Sequence, residues 1–226
     1  MPPDNQAGDK VSQEQPLVKG SLFRGLLKYI GEKLGPEGRT ELLKSLDDKD
    51  RAVFFKSSDC SDLKMILVTD WYPHTTFANL LKAVVEKIGK GNVSFCKQIG
   101  HWSAERDFAG IYKFYNKDAY KNDPNVLYRA TPMVWKGMYN KGEMEAVKIK
   151  DGRAVMKLNG FREITEAECF LVGGWIERGT QIVSGYKISI EVKYRPTPDI
   201  DCEFEVTRKD LLETGVRQAT LLSELK

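Results

Sequence analysis

The chain is poor in the residues most reactive sites are made of. Its 226 residues hold two histidines and four cysteines. Cys60, Cys96, Cys169 and Cys202 lie far apart and form no CxxC pair, which excludes a zinc-binding spacing and a small-domain disulfide framework. Reduced thiols in a cytoplasmic protein are the expectation. An excess of one charge is missing too: 35 Lys and Arg stand against 32 Asp and Glu, a formal net charge of +3. That balance excludes a strongly basic nucleic-acid binder. No apolar run approaches the roughly 18–20 residues of a membrane span, and Met65–Val68 is only strand-sized. The opening residues, Met1 to Gln6, carry neither the basic nor the apolar region of a secretory signal. What the chain does have is core material: 41% of it is hydrophobic and 10% aromatic, enough for one domain or two small ones.

Apolar spacing divides the chain. Residues 1–17 are polar and read as a disordered leader, and the folded body is expected over 18–207. Leu22, Phe23, Leu26, Leu27, Ile30 and Leu34 recur at helical spacing, Gly35 supplies a stop, and Pro36 suits the first turn of a second helix. Asp47-Asp48-Lys49-Asp50 reads as a solvated break. Leu63–Val68 reads as a buried strand or a loop packed into the core, and Trp71-Tyr72-Pro73 as an interruption. Phe77, Leu80, Leu81, Val84, Val85 and Ile88 give the best helical stripe, ended by Gly89. Asn92 suits the cap of a helical region running to about Tyr115, with Ile99, Phe108, Ile111, Tyr112 and Tyr115 as apolar contacts. Asp123-Pro124 opens a further helix through Met138, bent at Pro132.

After Lys141 the pattern changes to strands. Val147 and Ile149, then Asp151-Gly152, then Ala154, Met156 and Leu158 predict a β-hairpin with a type I′ turn. Thr165 and Glu168 form a capping box for a helix that ends at Gly185. Strict alternation from Ile188 to Tyr194, and again from Cys202 to Val206, predicts a second hairpin with one buried face. Residues 208–226 read as a helical tail that docks on the body or on another copy. The fold class is therefore α+β: a helical N-terminal portion to about residue 141, then β-hairpin–helix–β-hairpin forming an antiparallel sheet.

Chemistry is sparse. His101 and Glu105 share one helix face at i,i+4, either as an oriented proton-transfer pair or as a surface ion pair, and the surface pair is the commoner case. Cys96 lies roughly 140° from His101 around the same helix, too far for a dyad. His74 reads as a helix start rather than a ligand. Gly173, Gly174 and Gly179 sit inside a helix at a cost of about 1 kcal/mol each. Close approach to the sheet or to a bound molecule is the expected compensation. No catalytic constellation is present, so an enzyme is not expected, nor is a cofactor or metal. The remaining signal is aromatic: Trp71, Trp102, Phe108, Tyr112, Trp135 and Trp175 are the candidate lining of an interior pocket, against the plainer reading that they fill a core.

The order of short motifs carries a resemblance. Val18-Lys19-Gly20-Ser21, Trp71-Tyr72-Pro73, Ile99-Gly100-His101, the capped glycine helix and Cys202-Glu203-Phe204 together resemble a myxobacterial-type family of uncharacterised proteins. That family looks related to the haem nitric-oxide-binding (H-NOX), vinyl-reductase-type and transport-particle-subunit domains. The resemblance spans about residues 18–207. It implies helices on an antiparallel sheet with a cavity between them, and relatives that bind haem, other small ligands or acyl chains, or assemble with proteins. The haem branch implies an axial histidine, and Pro132–Met138 has none. It also implies a Tyr-x-Ser-x-Arg clamp, where Asn159–Glu163 offers only Arg162. A haem without its proximal ligand is poorly held. The vinyl-reductase branch implies a cysteine pair in the last hairpin, where only Cys202 stands. The expectation is a non-catalytic cytoplasmic sensor or adaptor that binds a small apolar ligand or a protein partner. Haem-based gas sensing and a structural homodimer joined through the tail are the alternatives.

Overall fold

A computed structural model describes residues 15–116, 123, 125–150, 153–194, 196–197 and 200–209. The order of elements is β1 (Leu17–Lys19), α1 (Gly20–Lys44), α2 (Asp48–Phe54), β2 (Trp71–Pro73), α3 (His74–Lys87), α4 (Cys96–Ala109), α5 (Asn125–Met138), β3 (Glu143–Lys150), β4 (Arg153–Asn159), α6 (Glu166–Ser184), β5 (Ile188–Tyr194) and β6 (Cys202–Arg208). This is the α+β arrangement that the hydrophobic periodicity predicts. Leu17 already pairs in β1, and Gln15 accepts a hydrogen bond from Asn140 through its carbonyl, so ordered structure starts ahead of the expected boundary at 18. The rest of the leader, the Asp151-Gly152 turn and nearly all of the C-terminal tail lie outside the described residues.

In α1 the buried face is Phe23, Leu26, Tyr29, Ile30, Leu42 and Leu43, and Gly35 interrupts it at φ 74°. Only glycine adopts that left-handed backbone without strain, so the element is two helical segments joined at Gly35-Pro36. The acidic run after it does break the helix, with Asp47, Asp48 and Lys49 exposed, but its last residue is not solvated. Asp47 caps α2 by accepting from the Asp50 amide. Asp50 is buried and accepts from Thr76 Oγ1 at 2.6 Å and Asn79 Nδ2 at 2.7 Å, tying α2 to α3.

Trp71-Tyr72-Pro73 is likewise a strand, not an interruption: β2 pairs antiparallel with β1, Val18 opposite Tyr72. The preceding Leu63–Val68 run is neither a buried strand nor a packed loop. Only Ile66 is buried, while Leu63, Met65, Leu67 and Val68 face solvent. The helical region does reach Tyr115, which is buried, but in two pieces, α4 to Ala109 and a 3-10 turn over Lys113–Asn116, and Ile111 between them, expected as a core contact, is 64% exposed. Asn92 caps a short 3-10 turn over Val93–Phe95 that leads into α4. Asp123 accepts from the Asn125 amide at the start of α5, as its cap position predicts.

The second sheet has strand order β3-β4-β6-β5, antiparallel throughout. Ala154, Met156 and Leu158, Cys202, Phe204 and Val206, and Ile188 and Ile190 form its buried face. A register shift between Ala146 and Lys148 inserts Val147 as a bulge, which leaves that side chain exposed instead of inward. Helix α6 starts with the predicted capping box at Thr165 and Glu168 and ends on left-handed Gly185. Its glycines are explained by packing. A Cβ on Gly173 would meet the Val192 side chain of the sheet at 2.6 Å, and one on Gly174 would lie 2.2 Å from the Lys97 carbonyl oxygen of α4. Reciprocally, a Cβ on Gly100 would lie 2.1 Å from the Leu171 carbonyl oxygen. Helices α4 and α6 therefore touch backbone to backbone, with the sheet on the far side of α6.

Candidate ligand-binding cavity

Residues of α1, α3, α4, α5 and α6 line a cavity of about 100 Å³. Helix α1 contributes Leu22, Gly25 and Leu26, and α3 contributes Phe77. The opposite wall is Ile99, Ser103, Arg106 and Asp107 from α4 with Leu171, Trp175 and Ile176 from α6. Helix α5 closes it with Thr131, Val134, Trp135 and Met138, followed by Tyr139. The spacing Leu22, Gly25, Leu26 and the spacing Val134, Trp135, Met138 each place a small patch of one helix face on the same space.

Outside it runs a larger groove between α1 and the Leu63–Thr69 segment. Ser21, Gly25, Arg106, Asp107, Ile111 and Met138 line both spaces and so form the mouth. Arg106 is fixed there. Its guanidinium lies against Gly25, where a Cβ would be 3.0 Å from Nη2, and 5.0 Å from the Trp102 ring. It donates to Asp107 Oδ1 at 3.0 Å, while Trp175 Nε1 donates to Asp107 Oδ2 at 3.1 Å. The Asp107 carboxylate thus holds both the mouth and the wall.

Of the six aromatics singled out by sequence, Tyr112, Trp135 and Trp175 line this cavity. Trp71, Trp102 and Phe108 do not. Trp71 lies on the surface under Lys19, whose Nζ is 4.0 Å from the ring centroid. Trp102 packs edge-on to Tyr29 and donates to Glu32 at 2.9 Å. Phe108 is buried in a satellite core with Ala104, Tyr115, Leu127, Ala130 and Val183. Sequence reasoning missed Tyr139, which stacks on Trp135 at 4.1 Å and 11°. Its hydroxyl is buried and makes no hydrogen bond, and burial holds its pKa well above 10. Burial, then the nearby Asp107 charge, pushes the Tyr112 phenol up to about 12.

Neither histidine joins the cavity. His101 does not pair with Glu105. It reaches across to Glu177 of α6 at 3.2 Å, beside Lys97 at 2.6 Å, while Glu105 pairs with Arg178 at 2.9 Å. The rungs run between helices because the glycine contact brings them so close. His74, expected merely to start a helix, is buried with Glu168: its Nε2 lies 2.9 and 3.0 Å from the two carboxylate oxygens. The same carboxylate accepts from the Thr165 amide and hydroxyl. The cap is readable from local spacing, but no local signal marks a partner 94 residues away. Among the described residues no group of three or more His, Cys, Asp and Glu is placed to hold a metal, and no helix is long and apolar enough to cross a membrane.

The fold is similar to that of H-NOX domains. The fold aligns with an Fe(II) unliganded H-NOX protein from K. algicida at a TM-score of 0.61 and 10% identity, over 84% of this chain and 96% of that one. It aligns with an oxygen-binding H-NOX domain related to soluble guanylate cyclases at 0.58 and 16% identity, over 84% and 95%. A mutant H-NOX protein from S. oneidensis aligns at 0.58 and 15% identity over the same shares of each chain. At such identities the likeness is one of fold. No protein-family model and no curated protein matches the sequence.

Proposed function

We propose that the chain is a non-catalytic sensor or adaptor module that takes a small apolar molecule into the α1–α4–α5–α6 cavity. The observation that carries this reading is a largely apolar space of about 100 Å³ inside the helical layer, reached through a mouth built on Arg106 and Asp107. A dry cavity of roughly 150 Å³ lined by aliphatic and aromatic groups is enough to bind benzene or xenon. The space is far smaller than the roughly 300–1,000 Å³ of pockets for drug-sized ligands or cofactors.

The fold is shared with H-NOX proteins that hold Fe(II) and haem, so fit to a haem is the first test. The residues do not fit. The cavity wall carries no imidazole and no thiol. His74 and His101 are held by Glu168 and Glu177 instead. The stacked Trp135–Tyr139 pair also fills part of the volume.

Thermal unfolding with and without benzene tests the proposal. At tenfold excess over its Kd a ligand stabilises by about 1.4 kcal/mol, a Tm rise of about 3–6 °C for a chain of this size. No shift with benzene or xenon up to saturation would defeat the reading. An adaptor role draws on a different feature, the outer groove. Leu63, Met65 and Ile111 are exposed there, and Arg24, Lys28 and Arg39 make no ion pair among the described residues. That surface suits an acidic amphipathic segment of a partner. Binding of such a peptide, lost on reversing Arg24 and Lys28 to Glu, is the corresponding test.

A further inference from the structure

The mouth of the cavity carries positive charge that the fold leaves uncompensated. Arg106 lines both the inner cavity and the outer groove, and its side chain is 34% exposed. Among the described residues its guanidinium donates only to Asp107 Oδ1, from Nε at 3.3 Å and from Nη2 at 3.0 Å. Both Nη1 protons and one on Nη2 therefore have no protein acceptor. The Asp107 carboxylate is committed on its other side, where Oδ2 accepts from Trp175 Nε1 at 3.1 Å.

Beyond the mouth the excess grows. Lys19, Arg24, Lys28, Arg39, Lys64 and Arg106 line the groove against two carboxylates, Glu32 and Asp107. Glu32 already accepts from Trp102 Nε1 at 2.9 Å. Six basic groups against two acidic ones is a larger imbalance than the formal net charge of +3 on the whole chain. A cleft lined by one sign of charge focuses its field and draws in ions of the other sign. The inner wall is of a different kind: Leu26, Phe77, Ile99, Leu171 and Ile176 line the cavity and not the groove. One continuous space thus has an apolar end and a cationic end, and Arg106 stands where they join.

A hydrocarbon satisfies only the apolar end. Seated in the cavity, it closes the mouth and strips water from guanidinium protons that have nothing else to bond. An acceptor at that end offsets the loss, and a carboxylate does so best, because its two oxygens match the planar fork of the guanidinium. We infer that the site takes a small amphipathic carboxylate, with a ring-sized apolar body in the inner cavity and its carboxylate at the mouth, received by Arg106. The inference rests on the cavity being a ligand site. The volume of about 100 Å³ limits the body to roughly one ring. Asp107, held beside Arg106, favours a single negative charge on the ligand over two.

The experiment titrates phenylacetate, its neutral isostere 2-phenylacetamide and toluene into the full chain, followed by ligand-detected NMR. The wild type should bind phenylacetate about 10-fold more tightly than phenylacetamide, the worth of one charge-assisted contact. That preference should shrink as salt rises from about 0.05 to 0.5 M. Arg106→Gln should abolish it while toluene affinity stays within about twofold, which also shows that the variant keeps its cavity. Lys28→Gln, at an exposed position of the groove, should weaken phenylacetate about twofold and leave toluene unchanged. Should Arg106→Gln fail to fold, the salt dependence and Lys28→Gln decide the matter. Val134→Phe, which fills the cavity from α5, should weaken all three probes and so locate them. Equal wild-type affinities for phenylacetate and phenylacetamide, or a preference that survives Arg106→Gln, would overturn the inference while toluene binding leaves the cavity reading standing. Phenylacetate binding untouched by Val134→Phe would also overturn it, since the anion would then sit in the groove alone. If none of the three probes binds the wild type, it is the cavity-ligand reading that falls.

Discussion

Replacing Gly174 by alanine tests how tightly α4 and α6 are locked, and the structure sets the size of the effect. A methyl group there would lie 2.2 Å from the Lys97 carbonyl oxygen and 2.9 Å from its Cα. Both are backbone atoms, so no rotamer change relieves the overlap. The helices must part by about 1 Å to approach the roughly 3.5 Å of an ordinary non-bonded contact. That displacement strains the rungs above the glycines, Lys97 and His101 on Glu177 and Arg178 on Glu105. Overpacking costs about 1–3 kcal/mol, and here the rigid partner places it at the upper end. Alanine's better helix propensity returns about 1 kcal/mol. The net expectation is a loss of about 2 kcal/mol, or a Tm lower by about 4–8 °C, read by urea and thermal unfolding followed by circular dichroism. Gly137→Ala is the control. It sits in α5 with no atom within 4 Å of a Cβ, so the same substitution should stabilise by up to about 1 kcal/mol. A Gly174→Ala protein as stable as the wild type would refute the close-contact argument, and with it the explanation for three glycines in one helix.

Other expectations follow from the polar interior. Glu168→Ala should cost about 3–5 kcal/mol by equilibrium unfolding, since it strands His74 in the core and removes the Thr165 cap partner. Burial pushes the Glu177 carboxyl up, but hydrogen bonds from His101 and Lys97 outweigh it and hold the pKa below the usual 4.5. Because the folded-state value is the lower one, this stabilisation is complete above pH 4.5 and is lost as pH falls through the lowered pKa. Glu177→Gln should flatten the acid limb of the stability–pH curve, and an unchanged slope would count against the pairing. Burial pushes the Cys96 thiol up to about 12 and raises Cys169 still more strongly, while Cys202 is fully enclosed. A thiol reagent should therefore label half-buried Cys60 quickly in the native protein and the other three only on unfolding.

The interrupted first helix, the capped sixth helix and the inward face of the last hairpin are all legible in the amino-acid sequence. Gly35-Pro36, Thr165 with Glu168, and Ile188 to Val206 each specify backbone geometry through neighbours a few residues away. Short-range sterics and hydrogen bonding act at that distance whatever the rest of the chain does. Where local patterns mislead, a distant partner outvotes them. Asp50 has the surroundings of a solvated residue in the sequence, yet Thr76 and Asn79 come to it in the fold. His101 has a partner one turn along its own helix, yet Glu177 of α6 is the one it meets. The aromatics show the same division. Composition announces that large rings are present, but Tyr112, Trp135 and Trp175 reach a common space while Trp71, Trp102 and Phe108 go elsewhere. Helix packing makes that choice, and the close contact of α4 with α6 shows how such packing is set. That contact arises from Gly100 meeting Leu171 and Gly174 meeting Lys97 across some seventy residues of chain, a complementarity of shape that exists only once both helices are packed.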